Sequence, residues 1–252
     1  MLRPENRPLR YPEDLAALHG LANTLIEKQR DEVPPPNEIA CDMEREAILQ
    51  TVEVFLKEES ERSLNPAASQ AEIPFGLDEG QEKKYASPRP VPLKLPDGTA
   101  IHIHGQIDRL DEIEEGIFEV WDYKTGSPRV YESATAFQSG RRLQHIIYGM
   151  VVESMIENAR VRNAGYFFPG VKGSGERVSH AREEWPALGE ILQRMMNVVR
   201  QGEFIHRTRS NECKFCDYQM VCGNVNKACY KARQLMDAGT PILGARKELE
   251  KI

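Results

Sequence analysis

The sequence predicts an α/β fold, a small mixed sheet flanked by helices, on three observations. Stretches with apolar residues at helical spacing open the chain, and alternating runs broken by glycine turns fill its middle. A long helical stretch, a strand and another helix then follow, an order that suits a sheet with helices packed against it.

Each element has a local reason. Residues 12–29 place Leu15, Leu18, Leu21 and Leu25 near helical spacing, and "RDEVPPPNE" breaks the helix. Residues 41–62 form a second amphipathic helix, with Ile48, Val52, Phe55 and Leu56 inward and a strongly acidic outer face whose acids are mostly solvated. Residues 64–90 are irregular, with a short strand at "AEIPFG". "VPLKLPDGTAIHIHGQIDRLD" reads as a hairpin turning at Pro96-Asp97-Gly98. Its second arm points Ile101, Ile103 and Ile107 one way, and His102, His104, Gln106 and Asp108 the other. A turn at Glu114-Glu115-Gly116 leads to a third strand, "IFEVWDYK". A long helix over 133–159, a strand at "NAGYFFP", a Gly-rich loop and a helix over about 185–201 complete the order. The organisation expected is an N-terminal helical region over 1–63, a core over 64–202 and a cysteine-bearing tail over 203–252.

The chain has 252 residues, enough to bury a sizeable core, with 40% hydrophobic and 29% charged residues. No apolar run reaches the roughly 18 residues of a membrane helix and the N-terminus has no apolar signal core, so a cytoplasmic protein is expected, with no membrane partner. The net charge of −6 argues against a uniformly basic nucleic-acid binder but leaves room for a local basic groove or for acids offset by a divalent ion. Arg129, Arg141 and Arg142, and again Arg207, Arg209 and Lys214, are small basic clusters that either touch phosphates or form a solvated face.

The chemistry sits in "GQIDRLDEIEEGIFEVWDYKTG". Side chains alternate across a strand, so Asp122 and Lys124 leave one face and Tyr123 the other. With Asp108 on the neighbouring strand turned the same way, two carboxylates meet beside an ammonium. Hard ions such as Mg²⁺ take one or two carboxylates plus waters and phosphate oxygens, and a lysine there can serve the attacking water. A surface ion pair is the competing reading of a bare Asp-x-Lys.

The longer string "GQIDRLD" followed by "DYKTG" resembles the RecB-like branch of the PD-(D/E)XK nuclease superfamily, which includes AddB-type helicase-nucleases. The resemblance implies a restriction-endonuclease-like core. Asp108 and Asp122 would hold Mg²⁺ or Mn²⁺ with the Tyr123 backbone carbonyl, and Lys124 would serve the attacking water. "QHIIY" resembles that branch's Gln-x-x-x-Tyr motif, so Gln144 and Tyr148, one helical turn apart, would position DNA. Glu72 resembles a glutamate of the family's first strand, while nothing in the resemblance uses His102 or His104.

Five cysteines are unevenly placed: Cys41 alone, then Cys213, Cys216, Cys222 and Cys229. With no secretion signal, metal or cluster binding is the expectation. The Cys213-x2-Cys216-x5-Cys222 spacing resembles the iron–sulfur staple of AddB-type and CRISPR spacer-processing nucleases, with Cys41 as the natural fourth ligand to a 4Fe–4S cluster. The alternative is a Zn²⁺ site on Cys213, Cys216, Cys222 and Cys229.

One departure marks the early region. The family's early-helix histidine has no match between Cys41 and the catalytic strands; His19 precedes Cys41, and Glu46 or Glu53 would be acidic replacements. A C-terminal piece of a longer helicase-nuclease-like protein is the other explanation. No P-loop string occurs, so no motor is expected within these residues. The function implied is metal-dependent hydrolysis of DNA phosphodiesters in repair or recombination, at single-stranded or unwound ends, with a helicase subunit or domain as partner. The alternatives are a CRISPR-type end-trimming nuclease and a catalytically idle DNA-binding module of a helicase-nuclease complex.

Overall fold

The computed structural model describes residues 8–62, 66, 68–77, 83–131, 142–185, 188–214, 216–238 and 243–250. They divide into two compact units. The first comprises residues 1–93, 101–136 and 143–185; the second comprises 94–100, 137–142 and 186–252.

The first unit opens with helices α1 (Leu15–Glu32) and α2 (Glu38–Glu61). The prolines at 34–36 lie between them. α2 restarts where the Asn37 side chain accepts a hydrogen bond from the Ala40 N–H at 2.8 Å, satisfying a donor that a helix start leaves open. Five strands form one sheet in the order β1 (Ala68–Phe75), β4 (Gly105–Glu114), β5 (Ile117–Tyr123), β6 (Arg160–Phe168), β7 (Glu176–Ala181). The β1–β4, β4–β5 and β6–β7 pairs are antiparallel. β5 and β6 are parallel, with helix α3 (Gln144–Met155) between them in sequence. Mixed pairing is therefore confined to one crossover, as a parallel pair requires.

β5 is central, and its inner five residues are buried on both faces, which is why "FEVWD" lacks a clean polar alternation. Phe75, Ile107, Val120, Val161, Phe167 and Phe168 anchor the core. α2 sets Phe55 against Phe167, ring centroids 6.0 Å apart. α3 buries Ile146, Val151 and Val152, and its Gly149 lies where an added Cβ would come within 2.2 Å of the Trp185 ring.

Two expectations change here. The second arm of the predicted hairpin splits at His104: β3 (Ala100–Ile103) pairs only with β2 (Val91–Lys94), and β4 joins the large sheet. "ERVSHA" is strand β7 rather than loop, because β6 offers it a free edge. On the acidic face of α2, expected to be mostly solvated, Glu59 is buried. Of the long helix expected over 133–159, residues 144–155 are helical, and 133–141 lie outside the described residues.

The second unit holds the hairpin tip and the C-terminal helices. Thr99 donates to Asp97 through its backbone N–H and hydroxyl, at 2.9 and 2.6 Å, and Gly98 adopts φ +80°, a turn residue's conformation. Gln193 and Arg200 of α4 (Leu188–Gln201) donate to the same carboxylate at 3.0 and 2.9 Å. Beyond α4 come a 3₁₀ turn at Ser210–Cys213 and helices α5 (Gln219–Cys222), α6 (Val225–Asp237) and α7 (Gly244–Glu250). No helix of the described residues is long and apolar enough to cross a membrane.

Candidate active site

Strand register decides which acids meet. Arg109 pairs with Trp121 across β4–β5, so Asp108 stands opposite Asp122, and paired residues of antiparallel strands share a face. The other parity carries Arg109, Asp111, Glu119 and Tyr123 toward α2. Asp108, Asp122 and Lys124 therefore share the α3 side of the sheet.

The details tighten that placement. The Tyr123 N–H donates to Asp108 Oδ2 at 2.8 Å, and the Lys124 N–H to the Phe167 carbonyl at 2.9 Å, which fixes the backbone where β5 ends. Asp122 is 1% exposed and forms an ion pair with the Lys124 ammonium. Its Oδ2 nonetheless has no well-directed hydrogen bond among the described residues. Burial raises the Asp122 pKa above the usual carboxylate range; Lys124 pulls against the shift and the nearby Asp108 charge adds to it. Two acids that share a face, one with an incompletely satisfied buried oxygen, match what a hard divalent cation takes as ligands.

Lys124 is held from three sides. Beyond Asp122, its Nζ donates to Gln144 Oε1 at 3.3 Å and lies 5.6 Å from the centre of the Tyr166 ring. Gln144 in turn donates from Nε2 to the Tyr148 hydroxyl at 3.1 Å, so the i, i+4 pair of α3 acts as one unit. Tyr148 stands edge-on to Phe75, and a Cβ on Gly105 would come within 3.1 Å of that Phe75 ring and 3.7 Å of the Tyr148 hydroxyl. The glycine that opens "GQIDRLD" thus leaves room for an aromatic pair beside the acids. Tyr166 also contacts His145, hydroxyl to Nδ1 at 2.8 Å, a buried pair under the lysine that no sequence motif marks.

The α2 side of the same strands is an ionic lattice. Arg109 forks onto Glu59 with two 2.8 Å bonds and reaches Asp111 through Nε at 2.8 Å. Arg62 bridges Asp111 and Glu119 at 2.5 and 2.7 Å, and Arg177 pairs with Glu59. The arginine and second acid of "DRLD" therefore clamp α2 to the sheet beneath Asp108. Bidentate guanidinium–carboxylate geometry of this kind fixes orientation as well as charge.

The remaining candidates are placed elsewhere. His102 and His104 are exposed, on β3 and at its junction with β4. Glu72 falls between the Ala71–Arg109 and Ile73–Ile107 pairs, level with Asp108, at φ +55°, a sparsely populated conformation for a non-glycine residue. His19 Nε2 contacts the Leu49 carbonyl at 3.3 Å, Glu46 accepts from Gln50, and Glu53 accepts from the Tyr11 hydroxyl. Each of these early residues is thus engaged within the α1–α2 region. Arg129, Arg207, Arg209 and Lys214 are exposed; Arg141 lies outside the described residues.

In the second unit Cys213 and Cys229 are buried, Cys222 is half-buried and Cys216 exposed; Cys41 is on α2 of the first unit. One group of three donors, His206, Cys213 and Cys229, lies within 4.8 Å. Cys216 and Cys222 are outside that group. His206 carries no sequence signal beyond its position seven residues before Cys213.

The chain is also similar in sequence to known proteins. A model of the PD-(D/E)XK nuclease superfamily matches residues 5–223. An ATP-dependent helicase/deoxyribonuclease subunit of Clostridioides difficile (strain 630) is 35% identical over 91 residues. That match covers 35% of this chain and 7% of the relative, so the chain spans a small part of that protein's length.

Proposed function

The chain belongs to the PD-(D/E)XK nuclease superfamily, and from that premise we propose that it is a divalent-metal-dependent DNA nuclease acting on single-stranded or unwound ends in repair or recombination. The observation that carries the reading is the convergence of Asp108, buried Asp122 and Lys124 on one sheet face beside the Gln144–Tyr148 pair. By analogy with its helicase-associated relative, a helicase subunit or domain is the proposed partner.

Asp108 and Asp122 would hold Mg²⁺ or Mn²⁺, together with the Tyr123 carbonyl. The ion would supply charge neutralisation at the phosphate and acidify the attacking water. The protein supplies the geometry. The Asp122 and Gln144 side chains hold the Lys124 ammonium over the acids, where it orients water and offsets charge on the phosphate oxygens. Gln144 and Tyr148 then line the approach and orient the strand to be cut. Hydrolysis makes one P–O bond from water and breaks one to the leaving sugar oxygen.

The test is Mg²⁺- or Mn²⁺-dependent degradation of end-labelled single-stranded DNA, compared with duplex. Asp122→Ala and Lys124→Ala should each lower the rate by at least about 100-fold while the fold persists by circular dichroism. Robust cleavage by either folded variant would overturn the mechanism. DNA binding without cleavage in any divalent ion would favour the idle binding module.

A further inference from the structure

Cysteine spacing in the tail points to three thiolates on an iron–sulfur cluster, but the structure gathers a different set of donors. His206, Cys213 and Cys229 come from three segments of the second unit: the coil after α4, the 3₁₀ turn, and α6. Both thiols are buried, at 6% and 2% exposure, while the imidazole is half-buried. A single buried cysteine is ordinarily a small apolar side chain. Two of them facing one imidazole are not explained by packing alone.

The spacing is informative. Cys229 Sγ lies 3.6 Å from His206 Nδ1. Bond lengths of about 2.3 Å to sulfur and 2.0–2.1 Å to nitrogen put the edges of a tetrahedral zinc site at roughly 3.5–3.8 Å. The observed separation falls in that range. A cubane cluster instead binds each thiolate through a different iron, and its ligands stand further apart.

The surrounding bonds hold the three segments in place. Arg233 of α6 donates to the Thr208 carbonyl at 3.0 Å, tying the helix that carries Cys229 to the coil that carries His206. Gln219 Nε2 donates to the Cys213 and Lys214 carbonyls at 2.5 and 3.1 Å, fixing the turn. Asn224 accepts from the Lys227 N–H at 2.9 Å and caps α6 just before Cys229. The His206 Nδ1 also lies 2.9 Å from the Arg207 carbonyl, a contact the ring gives up on binding an ion. Cys216 is exposed and outside the group of three, but it follows Cys213 at knuckle spacing, its N–H donating to the Cys213 carbonyl at 3.1 Å, and closing a fourth corner requires its side chain to turn inward.

We propose that the second unit binds one zinc ion through His206, Cys213, Cys216 and Cys229, a structural site that uses a histidine and leaves Cys41 and Cys222 out of the shell. Closed four-coordinate sites of this kind tie loops together and carry no open position for chemistry. The proposal stands apart from the nuclease reading, because none of its ligands is near Asp108 or Asp122 in sequence.

The full chain, purified anaerobically without added metal, is measured for metal content, absorption spectrum and zinc-edge X-ray absorption. Expected is a colourless protein with one zinc per chain and a shell of three sulfurs and one nitrogen. His206→Gln and Cys229→Ser should lower the zinc content at least fivefold, whereas Cys41→Ser and Cys222→Ser should retain it. The wild-type spectrum and coordination shell decide the matter even if a ligand variant fails to fold. A brown protein with iron and sulfide, preserved in His206→Gln and Cys229→Ser, would overturn the proposal. So would a four-sulfur zinc shell, or wild type with no metal. Asp122→Ala, which tests the cleavage reading, should leave the zinc untouched.

Discussion

Replacing Glu59 by alanine tests whether the ionic lattice behind the active site holds α2 on the sheet. Glu59 accepts both arms of the Arg109 fork at 2.8 Å and also pairs with Arg177. The buried cluster sets Arg62, Arg109 and Arg177 against Glu59, Asp111 and Glu119, and the more exposed Arg162 also pairs with Glu119. Truncating one partner of a buried pair costs about 3–5 kcal/mol, because the remaining charge keeps its desolvation penalty. Asp111 still accepts from Arg109 Nε and Arg177 is partly exposed, so the expectation is near the lower end, about 3 kcal/mol. With a urea slope of about 3 kcal/mol/M, the unfolding midpoint should fall by about 1 M. Both tryptophans, Trp121 and Trp185, lie in the first unit, and the Arg62 and Arg177 guanidiniums lie over the Trp121 ring at 5.8 and 5.7 Å. Intrinsic fluorescence therefore reports the affected unit directly. The pH dependence gives a second check. Burial pushes the Glu59 carboxyl up, but the Arg109 hydrogen bonds and the charges of Arg109, Arg177 and Arg62 bring it below its ordinary value. A depressed folded pKa contributes stability above the unfolded value and loses it as pH falls through the folded one, so the variant's deficit should shrink in acid. A midpoint shift below about 0.3 M at pH 7, or a deficit that grows in acid, would refute the assignment.

Three further outcomes follow from the same geometry. Asp122→Asn should abolish cleavage yet raise the thermal midpoint of the metal-free protein: a raised carboxyl pKa means that stability is lost as pH climbs through it, and the amide removes that loss. Mg²⁺ should raise the wild-type midpoint in differential scanning fluorimetry and leave Asp122→Asn unmoved. His145, pushed down to about 3 by burial and the neighbouring His180, stays neutral in the folded state while the unfolded chain takes a proton below about pH 6.5. Its contribution is thus present at neutral pH and lost in acid, by about 1.4 kcal/mol per pH unit between roughly pH 6 and 4, and chemical denaturation of His145→Gln should lack that slope. Gly149→Ala should cost about 1–3 kcal/mol in urea unfolding, because the new methyl group meets the Trp185 ring at 2.2 Å; an unchanged midpoint would mean that the ring can retreat freely.

Sequence alone determined which residues share a face, because strand parity is fixed by covalent geometry. Within β5, Asp122 and Tyr123 had to take opposite faces, and Lys124, one residue past the strand, stays on Asp122's side where the Phe167 carbonyl holds its N–H. The spacing of "GQIDRLD", "DYKTG" and "QHIIY" likewise carried the family, since each motif is local and its residues act within one strand or helical turn. Neighbours across the fold were not legible in the same way. Nothing in "FLKEESER" distinguishes buried Glu59 from the solvated acids beside it; its partner Arg109 is 50 residues away and meets it only when α2 lies on β4. The break at His104, which separates β3 from β4, and the edge pairing that makes "ERVSHA" a strand are choices between ladders. Local alternation supports both. The same holds for the cysteine tail. Its spacing announced metal-binding potential, but the union of His206 and Cys229 with Cys213 arises only when a coil and the helix α6 close on the turn between them. Periodicity sets orientation, and only tertiary packing sets which oriented groups become neighbours.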